Sequence, residues 1–589
     1  MMRIASIKIW QTFAVLNWQL FLPCVLCIEI IVEPPPPFAE TRNGWVEGYI
    51  QETVGGHPIV AFEGIKYAEG PTGQLRFRDP VPVKPWTGIF EAVKKSPACL
   101  QLDMSKFMYL HGTEDCLFLN VYTPVFGDAI PPDPVKKTGR ESKLPVLIYI
   151  HGGGYIYGRS SEIGAAYLLN KENVVLVTIN YRVGVLGFFS TGDDEASGNW
   201  GMKDQALAIK WVVENIENFG GDPKRITLVG NSAGAASVGL HMVSPQSKDL
   251  FQQAILESGS PFANWAVQNE TYSSSMVVAR EMGCHKRGNS AAIVSCLRAK
   301  DADWVVGRSI KAWRMLLLSR LPFGPVVESA WTKSPFLTEA PEVSYRHGRV
   351  SRVPMIVGLN KDEGSVFAAG IQLYPSHRTH INLNWNSIIP YALSFENRTT
   401  PQNAGQIAQK IKTYYLGKDP KITFRNRKKW MKIFGDRMIV QGVHAMMEQH
   451  SKIAPTYGYM FSYAGERSIV QTIGLNRDNW GVAHTNEMLY LYNNTKQFPN
   501  MNETSKDFKV LETLVNLWTS FAETGTPSLN ESDYRSPAKI WKPISPSAMQ
   551  LLEINFVNQV PRMIKFPQEI SERVEFWKSL GLRGDPVFL

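Results

Sequence analysis

The sequence lacks several features that would assign it to a specialised class. Its 589 residues contain six cysteines, no internal repeat, and no low-complexity tract beyond the four prolines at 34–37. These absences exclude a small disulfide-bonded scaffold, a collagen and a repeat array. Charged residues make up 20% of the chain and hydrophobic residues 44%, which excludes a disordered chain. The chain is therefore globular and long enough to be stable without a metal or many disulfides.

Nucleic-acid modules and metal-binding motifs are also missing. The formal charge is +9, but no stripe of basic residues interleaved with aromatic residues accompanies it. The densest basic run, at 425–429, is interpreted as a solvated helix face. The sequence contains no His-Glu-x-x-His motif and no Gly-Lys-Ser/Thr phosphate loop. We therefore expect no nucleic-acid partner, no metal and no organic cofactor.

One long apolar run lies at the N-terminus. Arg3 and Lys8 precede the uncharged stretch 9–28, an order typical of a secretory signal peptide. Its twenty residues would be long enough to cross a bilayer, so an uncleaved signal anchor is the alternative, although polar residues and a proline weaken it. We predict a signal peptide at 1–28, one folded domain at 29–589, a secreted (extracellular) protein, and no permanent membrane span in the mature chain.

Cysteines and Asn-X-Ser/Thr triplets fit an exported protein. Two of the six cysteines fall in the predicted leader. The remaining four permit three connectivities, one of which joins the two pairs of sequence neighbours and closes two short loops. These cysteines are Cys99, Cys116, Cys284 and Cys296. Five triplets are candidate glycosylation sites on surface loops; their asparagines are Asn269, Asn397, Asn493, Asn502 and Asn530.

Short apolar runs alternate with helical patterns in the middle of the chain. The runs 144–150, 173–180 and 226–229 are rich in β-branched residues and nearly continuous, as expected for strands covered on both faces. Over 200–219 the apolar residues recur at steps of four and three, and the pattern stops at two glycines, which predicts a helix. Later strand candidates lie at 355–357 and 457–463. The pattern predicts one large α/β domain.

A serine lies between a predicted strand and a predicted helix. The motif Gly230-Asn231-Ser232-Ala233-Gly234 follows the run 226–229 and opens an alanine-rich segment at 233–243. Small flanking residues allow the sharp turn that projects the Ser232 Oγ atom out of the sheet, where a base can reach it. A glycine-bounded surface turn is the alternative interpretation.

A glycine-rich loop follows the first central strand. The motif His151-Gly152-Gly153-Gly154-Tyr155 comes directly after the run 144–150. Consecutive glycines let main-chain N–H groups approach the oxyanion that forms during acyl transfer. We predict an oxyanion hole formed by the N–H groups of Gly153, Gly154 and Ala233. A phosphate-binding loop is the rival interpretation.

A serine nucleophile needs a histidine to accept its proton and an acid to hold that histidine. In an α/β-hydrolase the acid and the histidine follow the serine in the chain. Glu363 comes soon after the strand candidate at 355–357, and His484 lies late in the chain. On the residues alone, Asp362 is as good a candidate as Glu363.

Further motifs make the sequence resemble the type-B carboxylesterase and cholinesterase family, from about residue 40 to about 575. The resemblance implies an α/β-hydrolase fold, in which one catalytic domain has a large, mostly parallel central sheet flanked by helices. The motifs are Gly64-Ile-Lys-Tyr-Ala68, Leu75-Arg-Phe77, Glu114-Asp-Cys-Leu-Phe-Leu-Asn120, Asn180-Tyr-Arg182, Gly198-Asn-Trp-Gly-Met-Lys-Asp-Gln205 and Glu257-Ser-Gly-Ser260.

The resemblance also implies roles for single residues. The family's acid is the Glu of a Lys-Asp-Glu-Gly segment, which matches Glu363, and its histidine matches His484. Ser258 matches a serine that lies near the acid and supports it without contacting the substrate. The two short cysteine loops match family disulfides, Cys99 with Cys116 and Cys284 with Cys296.

Differences between this sequence and the cholinesterases narrow the range of expected substrates. Asn231 stands where cholinesterases have Glu, and no Trp lies between Cys99 and Cys116, so an obvious site for the choline cation is missing. The chain is more similar to insect carboxylesterases and juvenile hormone esterases. We expect a secreted serine esterase that forms an acyl-enzyme with small, neutral, hydrophobic esters. The alternatives are a catalytically silent, neuroligin-like or glutactin-like adhesion protein and a lipase of the same fold.

Overall fold

A computed structural model describes residues 4–8, 29–32 and 35–585, apart from the internal stretches 104–107, 125–142, 269–270, 286–288, 314–320, 374, 530–540, 546–547 and 556–560. Most of the predicted leader, 9–28, therefore lies outside the described residues. No helix within the described ranges has the length and apolar composition needed to cross a bilayer.

An eleven-stranded sheet lies at the centre of the domain. The strands of the chain are β1 (Ile4–Lys8), β2 (Glu29–Val32), β3 (Phe38–Thr41), β4 (Gly44–Glu47), β5 (Tyr49–Glu52), β6 (Pro58–Lys66), β7 (Ile89–Glu91), β8 (Gln101–Asp103), β9 (Tyr109–His111), β10 (Phe118–Pro124), β11 (Leu144–Ile150), β12 (Val175–Ile179), β13 (Gly221–Asn231), β14 (Gln253–Glu257), β15 (Met355–Asn360), β16 (Thr456–Phe461), β17 (Gln550–Ile554) and β18 (Arg562–Lys565).

The central sheet has the order β18-β17-β16-β15-β14-β13-β11-β12-β10-β6-β5. Every neighbouring pair from β17 across to β12 is parallel. The outer pairs are antiparallel. Within the described part of the chain, three small sheets are separate from the central one: β1 pairs with β2, β4 pairs with both β3 and β7, and β8 pairs with β9. The predicted α/β class with a mostly parallel sheet is confirmed.

Burial explains why the central strands could be recognised in the sequence as apolar runs. Every residue of β11 and of β12 is buried, because helices cover both faces of a parallel sheet. Alternate side chains point to opposite faces: Ile148 and Ile150 belong to one hydrophobic core, whereas Leu147 and Tyr149 belong to another.

Helices cover both faces and form a lobe at one side. They are α1 (Gly184–Phe188), α2 (Trp200–Asn215), α3 (Ala233–His241), α4 (Thr271–Glu281), α5 (Ser290–Arg298), α6 (Ala302–Arg308), α7 (Pro341–Arg346), α8 (Ser365–Leu373), α9 (Pro375–Leu383), α10 (Trp385–Ala392), α11 (Pro401–Leu416), α12 (Arg427–Gly435), α13 (Gln441–His450), α14 (Met488–Leu491), α15 (Lys506–Thr524) and α16 (Gln568–Ser579).

These helices divide between the cores. Residues of α2, α3 and α13 pack in the first core, and those of α14 and α15 in the second. Helices α8 to α12 share a third core with Trp577 of α16, and we call residues 365–435 the helical lobe. The helix predicted over 200–219 is confirmed as α2, which ends at Asn215 and continues as a 3₁₀ turn to Phe219. Gly220 then adopts a left-handed φ of 80°, which ends the helical path.

Candidate active site

Ser232 lies at the sharp turn between β13 and α3. Its φ of 57° and ψ of −117° lie outside the regions that residues with a side chain usually adopt, and such strain is concentrated at functional sites. Glycines flank the turn because backbones touch there. A Cβ atom on Gly230 would lie 2.3 Å from the carbonyl carbon of Gly234, and one on Gly234 would lie 2.0 Å from the carbonyl oxygen of Ile150.

The glycine loop lies directly against this turn. A Cβ atom on Gly152 would lie 3.2 Å from the Cβ atom of Ser232. Gly153 and Gly154 have φ values of 102° and 62°, which only glycine adopts readily. Among the described residues, neither donates its main-chain N–H to a hydrogen bond. Ala233 is the first residue of α3, so its N–H has no acceptor within the helix. Main-chain N–H groups of the glycine loop and of Ala233 that have no protein acceptor within the described residues thus lie near the serine turn.

The His151 side chain packs beside the glycine loop. Its ring stacks on Tyr181 with centroids 4.2 Å apart, and its Nδ1 atom lies 2.9 Å from the carbonyl oxygen of Gly152. Burial lowers the pKa of His151 to about 4. The ring is therefore neutral at physiological pH and adds no charge to the site.

His484 and Glu363 form a buried pair. The Nδ1 atom of His484 lies 2.5 Å from Oε2 of Glu363, and the two side chains are 9% and 1% exposed. The other oxygen of Glu363, Oε1, accepts hydrogen bonds from the main-chain N–H of Asn360 at 2.6 Å and from the Ser258 hydroxyl at 2.7 Å. Both carboxylate oxygens are thus occupied, which fixes the orientation of the imidazole.

Electrostatics set the protonation of this histidine. Burial alone would lower the pKa of His484, but the charge and hydrogen bond of Glu363, together with the charge of Glu487, outweigh it and raise the pKa above its usual value of 6.5. The imidazolium is therefore stabilised beside the carboxylate, as a proton-accepting histidine requires.

Asp362, the other acid considered from the sequence, has a different position. Its Oδ2 atom accepts a hydrogen bond from the main-chain N–H of Val482 at 3.0 Å. Burial raises its pKa, against the opposing effects of this hydrogen bond and of nearby lysines. Asp362 thus holds the backbone of the segment that carries His484, whereas Glu363 contacts the ring.

The acid loop is fixed by backbone contact with the helical lobe. A Cβ atom on Gly364 would lie 1.8 Å from the carbonyl oxygen of Met431 and 2.7 Å from the main-chain nitrogen of Gly435. Because α12 approaches the chain so closely next to Glu363, there is no room for a side chain at position 364.

The C-terminal end of β14 links the serine turn to the acid. The main-chain N–H of Ser232 donates to the carbonyl oxygen of Glu257 at 2.8 Å. The next residue, Ser258, donates its hydroxyl to Glu363. Ser258 has a left-handed φ of 55°, so its backbone is also strained. One short segment therefore contacts both halves of the site.

Two further buried carboxyl groups were not predicted. Glu487 accepts a hydrogen bond from the Tyr459 hydroxyl at 3.3 Å, and the Asn360 amide also donates to it. Its Oε1 atom lies 3.1 Å from the Ser258 Oγ atom, whose proton is shared with the shorter contact to Glu363. Burial and the charge of Glu363 raise the pKa of Glu487 to about 7. Its place in the Gly-x-x-His-x-x-Glu frame at 481–487 was the available signal.

The second unpredicted group is Glu257. It accepts a hydrogen bond from the indole N–H of Trp518 at 2.8 Å. Burial and the charge of Glu487 raise its pKa well above the usual value, which favours the protonated form of this carboxyl group. Its position in the motif 257–260 gave no indication of this, because the charge state depends on residues distant in the chain.

The remaining site predictions have mixed outcomes. Both cysteine pairs, Cys99 with Cys116 and Cys284 with Cys296, are disulfide-bonded. The described residues contain no group of three or more side chains suited to hold a metal ion. Among the glycosylation candidates, Asn397 and Asn502 are exposed, and Asn269 and Asn530 lie outside the described residues. Asn493 is half-buried and accepts a hydrogen bond from the N–H of Ala166 at 2.9 Å.

The chain is similar to known esterases over most of its length. A sequence model described as the carboxylesterase family matches residues 35–577. Esterase E4 of Myzus persicae is 35% identical over 90% of this chain and 92% of its own length. Juvenile hormone esterase of Tribolium castaneum is 32% identical over 97% of both chains.

A solved structure gives the same fold. The crystal structure of juvenile hormone esterase from Manduca sexta, with OTFP covalently attached, superposes with a TM-score of 0.80. It covers 93% of this chain and 99% of the other at 24% identity. The predicted α/β-hydrolase fold is confirmed.

Proposed function

This chain belongs to the carboxylesterase family and is a carboxylic ester hydrolase; we propose that it acts as a secreted serine esterase with Ser232, His484 and Glu363 as its catalytic residues. The observation that carries this proposal is the buried His484–Glu363 pair at 2.5 Å. Ser258 binds Glu363, and its neighbour Glu257 accepts a hydrogen bond from the strained Ser232 turn.

The reaction proceeds through an acyl-enzyme. With the Nδ1 proton of His484 held by Glu363, the lone pair of this ring is on Nε2, and that nitrogen accepts the proton of the Ser232 hydroxyl as it attacks the ester carbonyl. The N–H groups of Gly153, Gly154 and Ala233 stabilise the negative oxygen. His484 then donates its proton to the leaving alcohol, and a water molecule releases the acid by the same steps in reverse.

Apolar side chains support neutral, hydrophobic esters as substrates. The Leu321 side chain comes within 3.1 Å of the position that a Cβ atom would take on Gly154. The Phe367 ring has its centroid 6.4 Å from that of His484. The residue before the serine is the uncharged Asn231, so no carboxylate at that position favours a cationic alcohol. Secretion is supported by the predicted leader and by the two disulfides.

Hydrolysis of p-nitrophenyl butyrate by the purified protein tests the mechanism, with Ser232→Ala as the paired variant. We expect the substitution to lower kcat by roughly 1,000-fold or more, because the nucleophile is lost. Equal hydrolysis by both proteins would reject Ser232 as the nucleophile. Hydrolysis by neither, with the variant and the wild type equally folded by circular dichroism, would reject the catalytic proposal.

A further inference from the structure

The net positive charge of this chain comes almost entirely from one short segment. Residues 401–435 contain nine Lys or Arg and a single Asp, a formal +8 out of the +9 carried by all 589 residues. The rest of the chain is thus almost neutral. This segment comprises α11, α12 and the loop between them, and we call its nine cations the basic surface; they are Lys410, Lys412, Lys418, Lys421, Arg425, Arg427, Lys428, Lys429 and Lys432.

Most of these cations are exposed, and several have no partner. Seven of the nine are exposed, the exceptions being Lys412 and Arg427, which are half-buried. Lys432 pairs with Glu569 at 3.4 Å. Within the described residues, the side chains of six cations make no hydrogen bond or ion pair: Lys410, Lys412, Lys418, Lys421, Arg425 and Lys428. Of these, Lys412 is half-buried and lies over the Trp385 ring.

The arrangement is unfavourable for the isolated protein. Arg427, Lys428 and Lys429 occupy the first turn of α12, which contains no acidic residue. Because the N-terminus of a helix is its positive end, cations there are repelled by the helix dipole and by one another. Lys428 and Lys432 are also one turn apart, a spacing at which like charges repel. A bound polyanion would remove this repulsion.

The same segment offers little apolar surface for a membrane or for stacked bases. The apolar faces of α11 and α12 are buried in the lobe, unlike those of a helix that lies in a bilayer interface. Two aromatic residues remain partly exposed. Phe424 lies 4.4 Å beneath the Arg427 guanidinium, and Tyr414 stacks on Phe576 at 3.8 Å. The surface therefore offers charge and hydrogen-bond donors, and little else.

We propose that the basic surface binds a sulfated polysaccharide and so retains the enzyme in an extracellular matrix. Lys and Arg side chains bind sulfate groups by charge-assisted hydrogen bonds, and a linear polyanion can contact several of them at once. The choice of an extracellular polyanion rests on the secreted location in the proposed function. Because the contacts are ionic, binding falls steeply as salt rises.

Two variants with equal net charge separate the basic surface from overall charge. The first changes Lys410, Lys418, Lys421 and Arg425 to Gln. The control changes four exposed lysines outside the segment to Gln, namely Lys84, Lys94, Lys224 and Lys333. Heparin is the probe, and binding to immobilised heparin is measured by salt elution and by titration at about 0.15 M NaCl. Vesicles with anionic lipid and double-stranded DNA are the competing probes.

We expect the first variant to bind heparin at least about tenfold more weakly than the wild type and to elute at lower salt, whereas the control changes affinity by less than about twofold. Equal losses in both variants would overturn the proposal, since overall charge would then explain binding. Stronger binding of the wild type to vesicles or DNA than to heparin would also overturn it. Both variants should keep wild-type hydrolysis of p-nitrophenyl butyrate, so a failure of the proposed mechanism is detected separately through Ser232→Ala.

Discussion

Replacing Glu363 with Gln tests how this site holds its histidine. The carboxylate accepts three hydrogen bonds: from His484 Nδ1 at 2.5 Å, from the Asn360 N–H at 2.6 Å and from the Ser258 hydroxyl at 2.7 Å. Gln has almost the same shape, but one of its two terminal atoms is a donor. The substitution therefore changes the hydrogen-bond pattern without opening a cavity.

The neighbouring hydrogen-bond donors determine the orientation of the new side-chain amide in the Glu363→Gln variant. If its NH₂ group faced Asn360, two donors would meet in a buried position, which costs about 1–3 kcal/mol. The amide oxygen therefore takes that side, and the NH₂ group faces His484. Nδ1 must then act as an acceptor, so the ring carries its proton on Nε2. A ring in that state cannot accept the proton of Ser232.

We expect this wrong tautomer to lower kcat by roughly 1,000- to 10,000-fold, or about 4–5.5 kcal/mol, with little change in KM because Glu363 does not contact the substrate. Steady-state hydrolysis of p-nitrophenyl butyrate measures both kcat and KM. The matched control is Asp362→Asn, an adjacent substitution of the same kind, whose amide oxygen can still accept from Val482. A kcat for Glu363→Gln within about tenfold of the wild type would refute the reasoning, as would an equal loss in Asp362→Asn.

Three further changes have definite expected outcomes. The pKa of His484 is raised, and the histidine must be neutral to accept a proton, so kcat/KM should fall as pH drops through a midpoint above 6.5. Glu487→Gln removes a nearby negative charge and should move that midpoint to lower pH. The same pH profile in the variant and the wild type would contradict this. Gly364→Ala pushes a methyl group into a neighbouring carbonyl oxygen and should lower the free energy of unfolding by about 3 kcal/mol or more in urea titrations, whereas wild-type stability would show that α12 can move aside. Replacing Cys284 and Cys296 together by Ser opens a loop with a sequence separation of 12. This change should lower the free energy of unfolding by about 2–3 kcal/mol while kcat is retained at 25 °C. A large loss of kcat would mean that the disulfide also shapes the site.

Local patterns predicted the parts of this site that depend on local structure. The strands β11 and β12 were evident because both of their faces are buried, and the turn at Ser232 was evident because small residues must flank it. The choice between Asp362 and Glu363 was different. Both residues follow the same strand. Their contacts with distant parts of the chain, Val482 for Asp362 and His484 for Glu363, distinguish them.

Long-range contacts also explain what sequence reasoning missed. Glu257 and Glu487 are ordinary glutamates in the sequence. Burial raises the pKa of both, and in addition the charge of Glu487 raises the pKa of Glu257 and the charge of Glu363 raises that of Glu487. The helical lobe was not predicted as a unit, because its helices share a core with Trp577, far along the chain. The short outer strands, such as β5 and β18, have half-exposed residues and therefore lack the continuous apolar run that identified the central strands.

The position of Ser258 has an evolutionary consequence. The serine turn and the acid are both anchored at the end of one strand, although Glu363 lies 105 residues beyond Ser258 and His484 a further 121 residues on. The intervening chain leaves the sheet and returns to it, so insertions and deletions in those excursions can remodel the surroundings of a substrate without displacing the reacting groups. Relatives that share these anchors can therefore diversify in selectivity while they conserve one chemistry.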